Sequence, residues 1–507
     1  MRTWKKALII ANVVLLVVLV SGAGYLGYLN SLIHRVRVLG LHPVSTQGVL
    51  AGTENILLVG STSRCALTKQ NPAYGLCSQG VTGVNSDVMM VLHLNPATRA
   101  VSIYSIPRDL FVPNARTTGV GKIDAALAQG PSQLVATVEE DLGIPIQHYV
   151  ELNFDTFASV VDALGGISMF FPEPVYDAYS GLQVTTPGCV ALDGVRALQV
   201  VRARHLQYKG PGVTTANDRA WPQEAQSDLA RIRRDHEFHR VLASAVARQG
   251  LGNPLTDRRL VAGIAPQLTV DGSLSATDMA DLLLTFHSVD IGAAPQLTAP
   301  VMESSSLTYY YQGYDYGNIE FPSEPQDQMA LDQVLGLAPG TDTMTGNPLP
   351  APGSVTVSVL NGSGAYNQAT TTASALQALG FTTAGVADTP RPAQESETVV
   401  TYAGPGTEAA AEAVADSLSG AVIMARGPTT DGAQVTVTTG TDYTVNPPAP
   451  TTTGATGTAV PGPATSSVAA PTTTPTSTGP FSPPTPPTEG LQPWDPRSCT
   501  ASGGAGP

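Results

Sequence analysis

The stretch DVMMVLHLNPATRAVSIYSIP, residues 87–107, decides the fold of this 507-residue chain. Two mainly apolar segments, 87–95 and 100–107, flank the turn-forming residues NPATR, and this pattern predicts two strands joined by a turn. The segment NILLVG at 55–60 is a further short apolar run that ends at a glycine. Together the three segments predict neighbouring strands of one sheet.

Helical patterns follow the predicted strands along the chain. The segments 131–143 and 154–166 each end at glycine, and a longer helical pattern covers 227–250. Strands mixed with helices in this way indicate an α/β or α+β domain, in which helices cover a central mixed sheet.

The segment ALQVVRARH, residues 197–205, predicts a strand with Arg202 and Arg204 on one face, because side chains alternate along a strand. The next helical pattern carries two acidic and two basic residues on one polar face: Asp228, Arg231, Arg234 and Asp235. Guanidinium groups that converge on one point bind phosphate oxygens bidentately. We therefore expect an anion site, although for the helix alone a surface network of ion pairs that includes Glu237 is an equal alternative.

The distribution of charge supports a small ligand rather than a polymeric one. The formal net charge of −14 argues against nucleic acid as a partner, because clustered cations dominate nucleic-acid binding. Nine of the 26 Lys and Arg residues nevertheless lie between Arg196 and Arg240. A cationic island in an acidic protein indicates a small, highly charged anion.

The N-terminus predicts a membrane anchor. Residues 7–29 contain no charged side chain, and these 23 positions are enough to span a bilayer once. Basic residues in 1–6 predict a cytoplasmic N-terminus and an extracytoplasmic location for everything after the span. Residues 30–50, between the span and the main domain, are then predicted to be a juxtamembrane stalk. The alternative is a cleaved signal peptide.

The four cysteines suit an oxidising compartment. Cys65 and Cys77 bracket a loop that contains proline and glycine, so we expect a disulfide between them, with two buried free thiols as the alternative. Zinc is disfavoured because neither cysteine has further Cys or His residues nearby. Cys189 and Cys499 are possible partners across a long separation, and the sequence does not decide their pairing.

Composition divides the chain behind the anchor into parts. The main domain is predicted at 51–335, and 336–353 has the composition of a linker. Strand and helix patterns alternate over 354–442, which predicts a small α/β module. Residues 443–507 are dominated by Pro, Thr, Ser, Gly and Ala, a composition that predicts a disordered tail.

Charged residues also lie at the predicted strand ends. Arg108 and Asp109 follow the strand that Pro107 terminates, and Asp87 begins the strand before it. Asp87 is a candidate Mg²⁺ ligand, because this ion usually takes one or two carboxylates together with substrate phosphate oxygens, although a turn residue at a strand start is the plainer interpretation. The chain contains no P-loop, GxSxG or HExxH motif.

Six ordered motifs carry a family resemblance over roughly residues 50–250: NILLVGSTSR, NSDVMMVLHLNPATRAVSIYSIPRDLFVP, KIDAALAQG, VVDALGGI, LDGVRALQVVRARH and SDLARIRRDHEF. In this order they resemble the LytR-CpsA-Psr family of extracytoplasmic glycan phosphotransferases. The module at 354–442 resembles the LytR C-terminal domain that accompanies this family in actinobacteria. The resemblance implies transfer of a glycan phosphate, here arabinogalactan, from a polyprenyl diphosphate carrier to peptidoglycan, with Mg²⁺ on the diphosphate and the lipid in an apolar pocket.

The resemblance also implies roles for individual residues. Six are implied to be catalytic: Arg108, Asp109, Arg202, Arg204, Asp228 and Arg231. Six are implied to bind the substrate: Arg108, Lys122, Arg202, Arg204, Arg231 and Arg234. Asp87 would hold the metal, whereas Thr62 stands where the family motif usually has an aspartate, so a second metal carboxylate is missing.

Two other functions are compatible with this sequence. One is a protein that binds wall polymer or acts as a scaffold without turnover, which the missing aspartate favours. The other is a polyprenyl diphosphatase that uses water as the acceptor. Turnover of a lipid diphosphate and analysis of the acceptor distinguish these functions from transfer to peptidoglycan.

Overall fold

The computed structural model describes residues 27, 31, 33–62, 65, 77–80, 82–117, 119–225, 227–249, 268–286, 289, 293–303, 308–389, 395–446 and 491–499. Two compact units divide the chain. The larger unit comprises Met1–Pro300, Gln326–Pro348 and Pro486–Pro507, and the smaller unit comprises Val301–Pro325 and Leu349–Thr485.

The described strands are β1 (His34–Val36), β2 (Glu54–Ser61), β3 (Ser86–Asn95), β4 (Ala100–Ile106), β5 (Phe111–Arg116), β6 (Gly119–Lys122), β7 (His148–Leu152), β8 (Ile167–Phe171), β9 (Val175–Asp177), β10 (Leu182–Val184), β11 (Gly188–Leu192), β12 (Gln207–Tyr208), β13 (Thr269–Asp271), β14 (Gln296–Thr298), β15 (Val301–Glu303), β16 (Tyr310–Tyr311), β17 (Tyr314–Asp315), β18 (Glu320–Glu324), β19 (Thr356–Asn361), β20 (Thr382–Ala387), β21 (Thr398–Tyr402), β22 (Leu418–Arg426), β23 (Val435–Thr439), β24 (Tyr443–Val445) and β25 (Arg497–Ser498). The α-helices are α1 (Pro131–Leu142), α2 (Phe154–Ala163), α3 (Gly194–Arg202), α4 (Ser227–Gln249), α5 (Ala276–Phe286), α6 (Gln326–Leu335), α7 (Gln368–Ala378) and α8 (Glu408–Ala415).

A seven-stranded mixed sheet in the order β1-β13-β7-β2-β3-β4-β14 forms the centre of the larger unit. Strand β3 pairs antiparallel with β2 and with β4, while β2 pairs in parallel with β7. The predicted strands at 55–60, 87–95 and 100–107 are confirmed, and so is the mixed sheet. The helices predicted at 131–143, 154–166 and 227–250 are also confirmed, as α1, α2 and α4.

The prediction of a strand at 197–205 is wrong, because Gly194–Arg202 is helix α3. The Asp193 side chain caps this helix and accepts a hydrogen bond from the Arg196 backbone N–H at 2.8 Å. Gly194 lies so close to α2 that an added Cβ would sit 2.2 Å from the Ala158 carbonyl oxygen. Consequently Arg202 ends a helix, Arg204 lies in the following loop, and the two do not share a strand face.

The smaller unit contains an eight-stranded sheet in the order β15-β18-β22-β21-β23-β19-β20, with β24 paired to β22. Helices α7 and α8 supply apolar residues to its core, which also contains Val357, Val400 and Val437. The predicted α/β module is therefore present. Residues 301–325, predicted within the main domain, belong to this unit instead, because β18 pairs antiparallel with β22.

The predicted linker and stalk are partly built into the larger unit. The buried Thr343 hydroxyl donates a hydrogen bond to the Gly143 carbonyl at 2.6 Å, and the larger unit continues to Pro348. Strand β1 pairs in parallel with β13 and so adds part of the predicted stalk to the main sheet. Local sequence patterns do not reveal such long-range pairing.

The predicted disordered tail is corrected at residues 491–499. Strand β25 pairs antiparallel with β8, and Cys499 forms a disulfide with Cys189. The rest of the tail after 446 lies outside the described residues. The expected Cys65–Cys77 disulfide is confirmed.

The predicted membrane span at 7–29 lies outside the described residues, apart from Gly27. Among the residues that the structure describes, no helix is both long and apolar enough to cross a bilayer. The anchor therefore stays a prediction.

Candidate active site

The start of β3 and the end of β4 bring the first charged residues together. Because the strands are antiparallel and Met89 pairs with Ile106, Asp87 at the start of β3 lies beside the residues that follow β4. Arg108 forms an ion pair there with the Asp87 carboxylate. The turn after β4 thus positions the guanidinium group at the edge of the sheet.

Arg108 also contacts a carboxylate that the sequence analysis did not single out. Asp124 lies in a 3-10 helix, Ile123–Gln129, and its Oδ2 is 3.2 Å from the Arg108 Nη2. Burial raises the pKa of Asp124 to about 6, although the positive charge of Arg108 opposes this shift. The signal was present in the sequence, because Asp124 belongs to the motif KIDAALAQG.

Asp109 joins three cations. Its buried carboxylate contacts the Lys122 Nζ at 2.8 Å, forms a direct ion pair with Arg204, and lies 4.0 Å from the Arg108 Nε. Burial alone would raise the pKa of Asp109, but Arg204, Lys122 and Arg108 outweigh burial and lower it. Asp109 is therefore an ionised group that holds the cations in place.

Helix α4 contributes Asp228 and Arg231 to the same network of ion pairs. The Asp228 Oδ1 lies 3.0 Å from the Arg204 Nε and 3.1 Å from the Arg231 Nε. Arg231 also donates a hydrogen bond to the Asp87 backbone carbonyl. Burial would lower the pKa of Arg231, but Asp228, Asp235 and Asp87 raise it, so the guanidinium stays charged.

We call these eight residues the site cluster: Asp87, Arg108, Asp109, Lys122, Asp124, Arg204, Asp228 and Arg231. Four side chains are 17–24% exposed: Asp87, Arg108, Lys122 and Arg204. The other four are at most 5% exposed: Asp109, Asp124, Asp228 and Arg231. The accessible layer therefore has three cations for one carboxylate, while the buried layer has three carboxylates for one cation.

An apolar cavity of about 230 Å³ lies beside the site cluster. Strands β2 and β3 and helices α2, α3 and α4 form its wall, mostly with aliphatic and aromatic side chains. Asp87 lines the cavity and also belongs to the site cluster, so the cavity reaches the charged residues. Arg202 lines it as well, with its guanidinium carbon 4.5 Å from the centre of the Phe154 ring.

Two ionisable groups of α4, Asp235 and His239, lie on the cavity wall. Burial raises the pKa of Asp235 to about 7, with Arg231 and Arg234 opposing the shift. Burial also lowers the pKa of His239 to about 4, which keeps this imidazole neutral near pH 7. Aliphatic and aromatic side chains form most of the wall, which suits a hydrocarbon chain.

Arg234 does not join the site cluster. Its fully buried guanidinium donates to both Glu224 carboxylate oxygens at 2.6 Å and to the Ala203 carbonyl. The family resemblance implies a substrate-binding role for Arg234, but the helix turns this side chain toward partners from its own chain. Arg234 therefore supports the fold around the site.

Thr62 has a structural role in the loop before β3. Its hydroxyl accepts a hydrogen bond from the Asn85 N–H at 2.8 Å and donates one to the Gly83 carbonyl at 3.3 Å. The Asn85 side chain in turn donates to Asp124 at 3.2 Å. These contacts connect Thr62 to the carboxylate that flanks Arg108.

The carboxylates near Arg108 fit a magnesium ion that takes some of its ligands from the protein and the others from a bound substrate. Within the part of the chain that the structure describes, no group of three or more His, Cys, Asp or Glu side chains is arranged to hold a metal ion. Asp87 and Asp124 nevertheless both flank Arg108, and Mg²⁺ commonly takes one or two carboxylates plus phosphate oxygens.

Two family models match this chain. The LytR_cpsA_psr family model matches residues 43–324, and a model described as LytR cell envelope-related transcriptional attenuator matches residues 354–443. A LytR-Csp2A-Psr enzyme from Actinomyces oris has 26% sequence identity and a TM-score of 0.42, over 53% of this chain and 88% of that chain.

Two relatives come from Corynebacterium glutamicum. The probable cell wall biosynthesis protein LcpB is 33% identical over 280 residues, 55% of this chain and 59% of the relative. The cell wall biosynthesis protein LcpA is 26% identical over 480 residues, 86% of each protein. Because the first family model spans more than half of the sequence, the chain belongs to the LytR-CpsA-Psr family.

Proposed function

We propose that this protein is a membrane-anchored, extracytoplasmic phosphotransferase that attaches a polyprenyl-diphosphate-linked glycan to peptidoglycan. The observation that carries the proposal is the apolar cavity whose wall includes Asp87, the carboxylate of an accessible layer that also contains three cations. An amphiphile with a long hydrocarbon chain and an anionic head matches both parts.

The accessible cations would bind the diphosphate. Arg108, Lys122 and Arg204 have side chains that are partly exposed and already oriented by buried carboxylates. Such preorganised donors stabilise negative charge without reorganising during the reaction. The polyprenyl chain would lie in the cavity against Phe154 and its apolar neighbours.

Transfer requires one bond to form and one to break. A sugar hydroxyl of peptidoglycan loses its proton to solvent and attacks the phosphorus that carries the glycan, the phosphorus–oxygen bond to the second phosphate breaks, and polyprenyl phosphate leaves. Charge spreads over the phosphate oxygens in a loose transition state, so positioned cations supply most of the stabilisation. Asp109, whose pKa is lowered by its three cations, positions those groups and is a weak base.

Magnesium would complete the charge balance. The site cluster contains four cations and four carboxylates, so a bound diphosphate adds excess negative charge. Asp87 and Asp124 would hold the ion together with diphosphate oxygens. When bound, Mg²⁺ supplies positive charge next to the phosphate oxygens.

The names of relatives support a role in the cell wall. LcpA and LcpB are described as cell wall biosynthesis proteins, and TagU of Bacillus mycoides as a polyisoprenyl-teichoic acid–peptidoglycan teichoic acid transferase. TagU is 34% identical over 143 residues, 27% of this chain and 44% of that protein. We propose arabinogalactan as the glycan here. The two disulfides favour an oxidising compartment, which agrees with an extracytoplasmic location.

Incorporation of a radiolabelled lipid-linked glycan into purified peptidoglycan tests the proposal. The full-length protein should transfer label to the acceptor, Arg204→Ala should transfer far less, and the exposed-site control Arg240→Ala should behave like the unmodified protein. Release of labelled glycan phosphate into water without incorporation would identify a diphosphatase. Binding of the labelled lipid without turnover would identify a wall-polymer binding protein.

A further inference from the structure

The chain returns to the larger unit at its C-terminal end. We call residues 491–499 the C-terminal clasp. Strand β25 of the clasp pairs with β8, the Cys189–Cys499 disulfide joins it to β11, and the Trp494 ring stacks on Tyr208 with 4.0 Å between ring centres. Three different kinds of contact therefore hold this short segment, although the smaller unit precedes it in the chain.

One carboxylate of the clasp contacts two arginines of helix α4. Asp495 is completely buried, and its Oδ2 accepts a hydrogen bond from the Arg233 Nε at 2.6 Å. Its Oδ1 lies 3.7 Å from the Arg234 Nη1. A buried carboxylate needs such partners, because removing a charge from water is costly. Asp495 thus helps to neutralise two neighbouring arginines of α4.

Those arginines connect the clasp to the loop that carries Arg204. Arg234 donates to the Ala203 carbonyl, one residue before Arg204. Glu224, which binds Arg234 through both carboxylate oxygens, donates its backbone N–H to the Leu206 carbonyl at 2.9 Å. The loop 203–206 is therefore held on both sides of Arg204 by groups that share a cluster with Asp495.

We propose that Asp495 is a positioning residue for the active site. Through Arg234 it fixes the loop 203–206, and the loop holds Arg204 against Asp109 and Asp228. Activity then depends on the packing of the C-terminal clasp against the larger unit. The effect on activity rests on the proposed function, whereas the effect on the loop does not.

Backbone amide exchange in the full-length protein tests the structural part. In Asp495→Asn, amides in the peptide 203–208 should exchange at least about tenfold faster than in the unmodified protein, because the loop loses part of its support. The control Asp281→Asn removes the same charge from an exposed position of α5 and should leave this peptide unchanged. Unchanged exchange in Asp495→Asn would overturn the proposal.

A double-mutant cycle on transfer activity tests the positioning role. Asp495→Asn should lower kcat/KM about tenfold in the unmodified protein and clearly less in an Arg204→Lys background, because both changes act through the same guanidinium. Restoring the carboxylate as Asp495→Glu should recover part of the activity. Equal losses in both backgrounds would show a merely structural role and refute the assignment.

A second variant covers the case in which Asp495→Asn fails to fold. The double variant Cys499→Ser/Trp494→Ala removes both the disulfide and the ring stacking that hold the clasp; faster exchange of 203–208 in this variant supports the proposal, whereas protection equal to that of the unmodified protein contradicts it. If the unmodified protein transfers no glycan, the proposed function fails, while the exchange result still decides whether the clasp supports the loop.

Discussion

Helix α4 carries two arginine clusters that differ in access to solvent. Arg231 belongs to the site cluster, whose accessible layer contains three partly exposed cations and one carboxylate. Arg233 and Arg234, only two and three residues further on, pair with Glu224 and Asp495 in a cluster whose side chains are at most 9% exposed. We call the second group the closed cluster.

The difference shows what distinguishes a cluster of charged residues that can bind a ligand from one that only stabilises the fold. In the closed cluster two carboxylates match two guanidinium groups, and no cationic side is left for an external anion. In the site cluster three of the four carboxylates are buried, so they orient cations that stay partly exposed, and Asp87 links the cluster to the cavity wall. Arginine content on one helix therefore does not identify a ligand site, whereas the position of the neutralising carboxylates does.

The largest expected effect is on stability, from breaking the closed cluster. Arg234→Ala should lower the free energy of unfolding by about 3–5 kcal/mol, because Glu224 loses its bidentate partner in a buried setting. Denaturant titration measures this change. Arg240→Ala is the matched control on the same helix, with a side chain 45% exposed, and should cost less than about 0.5 kcal/mol. Similar values for the two variants would remove the distinction between buried and exposed arginines.

The next largest effect is on activity, from removing one cation of the site cluster. Arg204→Ala should lower transfer about 100-fold, equivalent to about 2.7 kcal/mol, because a preorganised cation is lost from the diphosphate site. Arg202→Ala should cost only about tenfold, since Arg202 stacks on Phe154 at the cavity wall. Initial rates with a short-chain lipid diphosphate compare the two. Equal losses would mean that the structural separation of these arginines has no functional consequence.

A smaller effect concerns magnesium. We expect the ligand-free protein to bind Mg²⁺ weakly and a diphosphate analogue to tighten binding at least about tenfold, because phosphate oxygens supply missing ligands. Asp87→Ala should remove this gain, Thr62→Ala should be mild, and Thr62→Asp should tighten binding without the analogue. Calorimetric titration measures each case. Tight binding to the ligand-free protein that survives Asp87→Ala would place the metal elsewhere.

The smallest effect comes from a simple pair outside both clusters. The His148 Nδ1 lies 3.1 Å from the Asp271 carboxylate, and although burial lowers the pKa of His148, Asp271 and Glu54 raise it above 6.5 overall. This stabilisation is therefore present below pH 6.5 and is lost as pH rises through the raised pKa. His148→Asn should cost about 1 kcal/mol at pH 6, where the imidazolium loses its hydrogen bond to the buried Asp271 carboxylate, and less at pH 9. Thermal unfolding at the two pH values measures the difference, and an equal loss at both would exclude charge as its origin.

Features that depend on local patterns could be predicted from the sequence alone. Apolar segments and a turn specify β2, β3 and β4, helical periodicity with terminal glycines specifies α1 and α2, and Cys65 and Cys77 bracket one short loop. Each feature extends over a few neighbouring residues, where backbone geometry relates spacing directly to structure. The ordered motifs also contain Arg108, Asp109, Arg204 and Asp228, all of which belong to the site cluster.

The tertiary structure decided which charged residues share a site. The run Val200 and Val201 resembles a strand, but the Asp193 cap and packing against α2 make the segment helical, which separates Arg202 from Arg204. Arg234 and Arg231 look equivalent in sequence, yet the return of a segment more than 250 residues away supplies Asp495 to one of them. Local patterns do not encode such a pairing, because its energy comes from burial and long-range contacts that exist only in the folded chain.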